Sequence, residues 1–458
     1  MKKYNILDYG TINDATTLST VAVQSAIDDC SKNGGGEVVF PSGTFVLSTV
    51  FLKDNVKIVI PQTTVVLGSL NFNDYAPHEQ IDYQLYQDAS HSYFNTSMFV
   101  GVNCKNIEIC GGGFIDMRSV WDEENVRNMA HRGAKCIALK NCFDVKISNV
   151  NIFNATDLAI YFAGCENVVI DKIKMRVHID GISPDNSKNV KISNCDIETG
   201  DDGIVFKSSY TLNKLDFCKN ILVNNCKIKS RCNALKFGTE TNGGFYNVEI
   251  ENIDIRETHI SGIAIESADG AIIDGIKIQN IKMKNVQAPI FVHLSKRLRA
   301  PEGTKVGKIR NVIIENVTAE GAYLPFESIE WNYNSYINRS RIQTPWGFGG
   351  PNRFKKVGGA SAEQTWQMSC NVCGLPEQPL ENITLKNVKL LLDGGANEFI
   401  SEVPETPYCN YPEVHAYGYI LPAKGIFFRH IKNLTFENVT VKTYREDVRE
   451  DFVFVDVN

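Results

Sequence analysis

Residues 189–195 read NVKISNC, and this phrase decides the fold because it recurs along the chain. Each copy begins with Asn and continues as a short stretch in which apolar and polar residues alternate. Alternation with a period of two is typical of a β-strand that buries one face. The other copies are NVVI (167–170), NILVNNC (220–226), NVEIEN (247–252), NVIIEN (311–316), NITLKN (382–387) and NLTFEN (433–438).

The spacing of these copies indicates a solenoid. The first aliphatic residue falls at positions 168, 190, 221, 248 and 276, so the steps are 22, 31, 27 and 28 residues. One unit cannot bury its apolar face alone, whereas units stacked about 4.8 Å apart enclose a continuous core. Asn tolerates left-handed turns and can stack in ladders. A leucine-rich repeat would be dominated by Leu, and a propeller would have a longer period. We therefore predict an all-β fold, a right-handed parallel β-helix that forms one single-stranded domain over residues 1–458.

Two regions depart from the repeat. Residues 1–45 are predicted to hold an N-terminal capping helix, which covers the open strand edge, and then the first strand and turn, EVVFPSGTF (37–45). A long loop insertion is predicted over residues 318–380, where aromatic side chains line a sugar site or pack on the flank of the solenoid. Asp74 to Asn95, rich in Tyr and His, is a second candidate wall. Helical spacing in the capping segment places on one face Val21, Ala22, Ser25, Ala26 and Asp29.

Composition excludes several classes of function. A net charge of -6 and a pI near 5.8 lack the excess of basic residues that is typical of a nucleic-acid-binding protein. The sequence has no apolar stretch of eighteen residues, so no membrane span is expected. Thirteen cysteines, many beside predicted strands, favour a reduced interior and a cytoplasmic location, unless a signal peptide has been removed. Cys370 and Cys373 form a CxxC pair without a second pair at suitable spacing, so no metal site is predicted.

Two acidic phrases carry the candidate chemistry, HIDGI (178–182) and GDDGI (200–204). Asp180 and Asp201 are 21 residues apart, about one coil, so we expect Asp180, Asp201 and Asp202 to lie together. Crowded carboxylates repel, and one of them then retains a proton. Glycoside hydrolysis needs such an acid and a base. The alternatives are ordinary Asp-Gly turns and a calcium site.

The repeats, the stretch GGGEVVFPSGTF (34–45) and the two acidic phrases resemble family 28 glycoside hydrolases, the polygalacturonase group. That family carries Asn-Thr-Asp-Gly, Gly-Asp-Asp, Gly-His-Gly and Arg-Ile-Lys on successive coils. The resemblance implies inverting hydrolysis without a cofactor, in which Asp201 is the general acid. Asp180 and Asp202 would position and deprotonate the water. Carboxylates one coil apart would be about 5 Å from each other, which by itself suggests retention, and we follow the resemblance.

The last two family motifs do not match. Asn233 stands where the histidine would, and Ala264 and Glu266 stand where two cations would hold a galacturonate carboxylate. A uronic acid would meet Glu266 with like charge, so simple polygalacturonase activity is not expected. Lys236 is a candidate for the missing positive charge. The predicted substrate-binding residues are His178, Lys207, Asn233, Lys236, Glu240 and Glu266, and further candidates for the rim are His259, His293, Arg297 and Arg299.

The predicted function is hydrolysis of a pectin-related or other plant or microbial oligosaccharide, with exo action on short chains. The partner is accordingly an oligosaccharide or polysaccharide, and neither nucleic acid nor membrane. A polysaccharide lyase or epimerase on the same solenoid is an alternative, which the loss of both cations at Ala264 and Glu266 disfavours. A non-catalytic glycan-binding β-helix is the third reading, and the paired acidic motifs disfavour it.

Overall fold

The computed structural model describes residues 1–120, 133–321, 370–405, 413–414 and 420–458. These residues form two compact units. The first unit is Met1–Gly200, Tyr210–Lys214 and Cys218–Val223, and the second is Asp201–Ser209, Leu215–Phe217 and Asn224–Asn458. Each consists mainly of parallel strands, and no helix among the described residues has the length and apolar character needed to cross a membrane. The core of the predicted insertion, including Trp331, Trp346 and Trp366, lies outside the described residues.

In the first unit, parallel strands stack from coil to coil with three strands in most turns of the solenoid. Ile107, Val145, Val168 and Val190 are register partners on successive coils, and all four are buried. The helix is α1 (Thr20–Lys32), and the 3-10 helices are Ile6–Tyr9, Phe72–Asp74 and Ala89–His91. The strands are β1 (Lys3–Asn5), β2 (Gly36–Val39), β3 (Gly43–Leu47), β4 (Val50–Phe51), β5 (Val56–Val59), β6 (Thr64–Gly68), β7 (Ser97–Val102), β8 (Lys105–Cys110), β9 (Phe114–Asp116), β10 (Lys135–Lys140), β11 (Phe143–Ser148), β12 (Asn151–Phe153), β13 (Ile160–Ala163), β14 (Glu166–Asp171), β15 (Lys174–Val177), β16 (Ile182–Asp185), β17 (Lys188–Ser193) and β18 (Asp196–Thr199).

In the second unit the strands are longer and continue through the corners of the coil. Val248, Ile276, Val312, Ile383 and Leu434 are register partners, so the late copies of the repeat stack as predicted. Strand β20 (Phe217–Asn224) has residues in both units. The remaining strands are β19 (Ile204–Ser208), β21 (Lys227–Ser230), β22 (Leu235–Thr241), β23 (Gly244–Ser267), β24 (Ile272–Leu294), β25 (Lys308–Glu320), β26 (Cys370–Cys373), β27 (Leu380–Gly394), β28 (Ala423–Arg445) and β29 (Glu450–Val457).

Asparagine ladders hold the corners of the coils. Asn280, Asn316, Asn387 and Asn438 all have φ near +50 to +57°, the left-handed region that Asn tolerates. Each side-chain amide donates to the Asn of the preceding coil, at 3.2 Å from Asn316 to Asn280, 3.0 Å from Asn387 to Asn316 and 2.8 Å from Asn438 to Asn387. The prediction of stacked Asn is confirmed, and the fold is a parallel β-helix.

The N-terminal cap is confirmed as a helix, but two details of its prediction are wrong. The buried stripe of α1 is formed by Val23, Ala26, Ile27 and Cys30, whereas Val21 is 81% exposed. Val21 and Val23 are equally hydrophobic, so packing against the neighbouring strands decides which side of the helix is buried. The segment 37–45 does not hold the first strand, since β1 precedes the helix and pairs with β2. The prediction of one domain over residues 1–458 stays a prediction.

Candidate active site

In the second unit, Asp201 and Asp202 occupy the turn directly before β19. Their carboxylate oxygens and the Sγ atom of Cys232 all lie within 4.8 Å of one another, and both aspartates are buried. Ser230 Oγ donates to the Asp201 carbonyl at 2.6 Å. A Cβ on Gly203 would lie 2.6 Å from the Ala234 carbonyl oxygen, so glycine lets the turn rest against the next coil.

Asp202 is held by donors from the next coil. The backbone N–H and the side-chain amide of Asn233 both donate to its Oδ1 atom, at 3.0 and 2.8 Å. Lys236 Nζ lies 3.3 Å from its Oδ2 atom. Asn233 and Lys236 are therefore close to the acidic doublet, and their role in binding substrate stays a prediction. Asn233 can donate a hydrogen bond but cannot exchange a proton at neutral pH.

Lys236 is the centre of a charged cluster, called the Lys236 cluster here, which comprises Lys236, Asp202, Glu266 and Glu413. Its ammonium lies 3.2 Å from Glu413 Oε1 and 4.0 Å from Glu266 Oε1, in addition to the contact with Asp202. Burial by itself would lower the pKa of Lys236, but the three carboxyl groups together raise that pKa well above its ordinary value. Lys236 is therefore a cation at neutral pH.

Glu266 is the most enclosed carboxyl group of the cluster, with no exposed surface. Neither of its oxygens makes a hydrogen bond to any residue that the structure describes. Burial raises the pKa of Glu266 well above its ordinary value, and Glu413 and Asp202 raise it further, while Lys236 opposes them. The carboxyl group of Glu266 is therefore held toward its neutral, protonated form.

Glu413 was not among the site residues predicted from the sequence. It follows the predicted insertion and lies 177 residues beyond its partner Lys236. Val414 beside it joins a buried cluster with Ala264 and Phe291, whose positions are in register with Lys236. The sequence contains no repeat or motif at this point, so nothing in it relates Glu413 to the site.

Lys207 and Glu240, both predicted to bind substrate, bind each other. Lys207 Nζ lies 2.6 Å from Glu240 Oε2, and Arg299 donates to Glu240 Oε1 at 2.7 Å. Arg297 pairs with the buried Asp269 at 2.5 Å. Arg297 and Arg299 are thus part of an ion-pair network next to Glu240, and substrate binding by Lys207 and Glu240 stays a prediction.

His293 is a buried neighbour of Glu266, since the two are register partners on β23 and β24. Burial, assisted by Arg429, lowers the pKa of His293 to about 3. Its imidazole is therefore neutral at physiological pH and adds no positive charge near Glu266. The side chain of His259 lies outside the described set.

In the first unit, Asp180 and His178 lie in the turn between β15 and β16, and both are buried. His91 Nε2 lies 4.0 Å from Asp180 Oδ2, and the His91 ring packs edge-on against Tyr161. His178 Nε2 shares a hydrogen bond of 3.0 Å with Ser119 Oγ. The segment from Asp74 to Asn95 thus brings a histidine to Asp180. The only signal of this in the sequence was the richness of that segment in Tyr and His. The prediction that Asp180 acts together with Asp201 and Asp202 stays a prediction.

The acidic doublet could hold a metal ion, because Asp201, Asp202 and Cys232 together offer three ligand atoms. The set fits calcium poorly, since calcium prefers oxygen ligands and a thiol is soft. The Lys236 ammonium also already lies against Asp202. Elsewhere, burial raises the pKa of the Cys370 thiol to about 12, and the absence of a metal site at the CxxC pair stays a prediction.

Comparisons with known proteins agree with this architecture. Residues 30–327 match the sequence model of glycosyl hydrolases family 28, so the chain belongs to that family. It is 25% identical to a probable polygalacturonase of Vitis vinifera over 282 residues, 58% of this chain and 57% of the relative. It is 27% identical to an exo-poly-alpha-D-galacturonosidase of Dickeya chrysanthemi over 348 residues, 64% of this chain and 57% of the relative. The chain thus spans about 57% of the length of both curated relatives.

A solved structure shows the same fold. The hyperthermoactive exopolygalacturonase of Thermotoga maritima superposes with a TM-score of 0.65 at 19% identity, covering 86% of this chain and 87% of that one. At this identity the likeness concerns the fold. The recognition of a family 28 β-helix from the sequence is therefore confirmed.

Proposed function

We propose that the protein hydrolyses a glycosidic bond of a pectin-related or other plant or microbial oligosaccharide, by an inverting acid/base mechanism without a cofactor. The observation that carries this proposal is the buried pair Asp201 and Asp202, whose carboxylates lie within 4.8 Å of each other in a chain of family 28. Two carboxyl groups with different surroundings are what general acid and base catalysis at a glycosidic bond requires.

The different surroundings of Asp201 and Asp202 suggest which of them is the general acid and which is the base. Asp202 accepts two hydrogen bonds from Asn233 and faces the Lys236 ammonium, which suits a carboxylate that orients and deprotonates water. Asp201 is the more exposed of the two, at 9% against 4%. In the proposal Asp201 protonates the leaving oxygen, and Asp180 assists Asp202 with the water.

Exo action on short chains belongs to the same proposal. In the second unit, the sheet face that carries Lys236 continues through Ala264 and Phe291, which are fully buried against Val414. A long glycan cannot lie along a face whose residues are buried. The covering of this face therefore favours binding of the end of a glycan chain over binding of its middle. The relatives named as exo-acting are consistent with this. The cytoplasmic location predicted from the cysteines stays a prediction.

Release of reducing sugar from a panel of pectic and other plant or microbial oligosaccharides tests the proposal. Asp201→Asn should lower kcat by roughly 100- to 10,000-fold, the usual contribution of a general acid. Asp196→Asn, an exposed acid close in sequence, is the matched control and should keep full activity. Full activity of Asp201→Asn would refute its role as the acid. Sugar binding without turnover of any member of the panel would instead favour a glycan-binding protein.

A further inference from the structure

Strands β27 and β28 of the second unit are joined by a long connection whose two ends meet. Its described part is called the strap here and comprises residues 395–405, 413–414 and 420–422. The Ile400 backbone N–H donates to the Ile420 carbonyl at 3.0 Å. Beside this bond, Val403 packs against a buried cluster that includes Cys373 on β26 and Phe427 on β28. The strap therefore has a closed base, which rests on the last coils of the solenoid.

Arg429 on β28 holds the base of the strap through the backbone. Its guanidinium donates to three consecutive carbonyls, from Nη1 to Val403 at 2.8 Å and from Nη2 to Pro404 and Glu405 at 2.7 and 3.4 Å. The Arg429 residue is only 2% exposed, so water competes little for these charge-assisted bonds. The neighbouring His430 places its Nε2 atom 2.9 Å from Glu405 Oε2. The base of the strap is thus fixed at one end of the sheet face.

The tip of the strap, formed by Glu413 and Val414, contacts a different coil. Val414 packs in a buried cluster with Phe291, and Glu413 Oε1 lies 3.2 Å from Lys236 Nζ. Lys236 lies on β22, which is four strand spacings from β28 through β23, β24 and β26. Four spacings of about 4.8 Å amount to about 19 Å. The strap therefore reaches from the Arg429 anchor to the ammonium beside Asp202.

The anchoring of the base affects how firmly the tip is held. A segment that is free at its base explores a large volume, so its tip has a low effective concentration at its partner. A segment fixed at its base keeps the tip within reach. Lys236 Nζ contacts both Glu413 and Asp202, at 3.2 and 3.3 Å, so displacement of Glu413 changes the surroundings of the ammonium at Asp202.

We propose that Arg429 is a positioning residue, which anchors the strap so that Glu413 holds the Lys236 ammonium against Asp202. Glu413 is then a second positioning residue, and neither of them contacts the sugar. The inference rests on the proposed hydrolase function, in which Asp202 is the base, and it adds a support of that base that begins on the last coils of the solenoid.

Two buried cysteines report the position of the strap without any substrate. Cys373 packs at the base, and Cys232 packs with Val414 at the tip. In Arg429→Met, iodoacetamide should alkylate both thiols about 10-fold faster than in the parent protein, because local opening exposes them. Mass spectrometry measures the rates, and Cys136, a fully buried thiol of the first unit, should keep its rate. Faster alkylation of Cys373 alone would show that the anchor does not hold the tip, and would overturn the inference.

A milder variant keeps the test valid if Arg429→Met does not fold. His430 contacts two carboxylates, Glu405 of the strap at 2.9 Å and Asp456 of β29 at 2.7 Å, and their side chains are 51% and 72% exposed. Glu405→Ala should speed the alkylation of Cys373 and Cys232 by about 3-fold. Asp456→Ala is the matched control, because it removes a similar contact outside the strap, and it should leave both rates unchanged. Equal alkylation rates in the two variants would contradict the proposal.

Steady-state kinetics on a glycoside that the protein hydrolyses test the effect on the base. Arg429→Met should lower kcat about 3- to 10-fold with little change in KM, and Arg429→Lys, which keeps a cation, should recover part of the loss. If Arg429 acts through Glu413, Arg429→Met should have no further effect on kcat in a Glu413→Gln background. Additive effects of the two substitutions would refute the route through Glu413.

The alkylation and kinetic measurements distinguish this inference from the proposed function. Faster alkylation of Cys373 and Cys232 in Arg429→Met, without turnover of any glycoside by the parent protein, would support the anchored strap and refute hydrolysis. Turnover by the parent protein with an unchanged kcat in a folded Arg429→Met protein would support hydrolysis and refute the positioning role.

Discussion

The Asp180 turn in the first unit and the Asp201–Asp202 turn in the second carry similar acidic phrases but are supported differently. Asp180 has His91 beside it, from a segment outside the regular coils, packed on the Tyr161 ring. Asp202 is held by Asn233 and Lys236, which belong to the next coil of the repeat. Stacking therefore supplies these two partners of Asp202, whereas an excursion of the chain brings His91 to Asp180.

The two turns also differ in charge. Around the doublet, an ammonium and several carboxyl groups are buried together, so removal of one charge leaves the others uncompensated. Beside Asp180 lies the His91 imidazole, which packs on the Tyr161 phenol ring. We expect substitutions at the doublet to affect both stability and activity, and substitutions beside Asp180 to affect mainly activity.

Lys236→Met should have the largest effect, because it leaves buried carboxyl groups without their cation. Breaking such a cluster costs about 3–5 kcal/mol of unfolding free energy. Chemical denaturation measures the loss, and glycosidase activity should fall to background. Lys227→Met, an exposed lysine on β21, is the control and should change the stability little. Equal stability of both variants would show that the cluster does not support the fold.

Asn233→Ala should have the next largest effect and should act on kcat. The variant keeps the backbone N–H bond to Asp202 but loses the side-chain bond of 2.8 Å. A hydrogen bond to a charged group contributes about 1.5–3 kcal/mol, so kcat should fall roughly 10- to 100-fold. Asn233→His restores a donor and should recover part of the loss. Steady-state kinetics that find Ala and His equivalent would rule out this positioning role.

His91→Phe should have a smaller effect, because 4.0 Å is too long for a hydrogen bond to Asp180. Phe keeps the ring contact with Tyr161 and removes both nitrogens. We expect kcat to fall about 3- to 10-fold with little change in KM, since the ring would act on the reaction rather than on binding. His78→Phe, in the same segment, is the control. A loss of stability equal to the loss of activity would indicate a packing role instead.

Glu266→Gln should have the smallest effect, visible in the pH dependence of stability. The raised pKa of Glu266 means that the folded protein keeps a proton that the unfolded chain loses near pH 4.5. This contribution to the free energy of unfolding is complete below pH 4.5 and is lost as the pH rises through the pKa that Glu266 has in the folded protein. Gln cannot lose a proton, so the Tm of the variant relative to the parent protein should rise with pH, by about 2 °C. Melting curves recorded from pH 4 to 9 measure this difference in Tm between the variant and the parent protein. A difference in Tm that does not change with pH would contradict the prediction.

Much of the fold follows from the sequence because the repeat is local and regular. The alternation in NVKISNC places Val190 and Ile192 in the core, and Asn at the corners meets the need for a left-handed turn. The helix α1 was found, but its buried face was not, since Val21 and Val23 have the same hydrophobicity and only packing distinguishes them. Propensity specifies that a helix forms, and the neighbouring coil decides which side it buries.

Some residues of the candidate site are likewise predictable from the sequence, and others are known only from the tertiary structure. The motifs alone identify Asp201 and Asp202, and the repeat length brings Asn233 and Lys236 onto the next coil. Glu413, His91 and the pairing of Lys207 with Glu240 come from tertiary structure, because residues distant in sequence or oriented by side-chain packing leave no periodic signal. The physical reason is that the stacking of coils depends on a repeat that can be read within each coil. The charge balance of a buried site depends instead on every segment of the chain that contacts it.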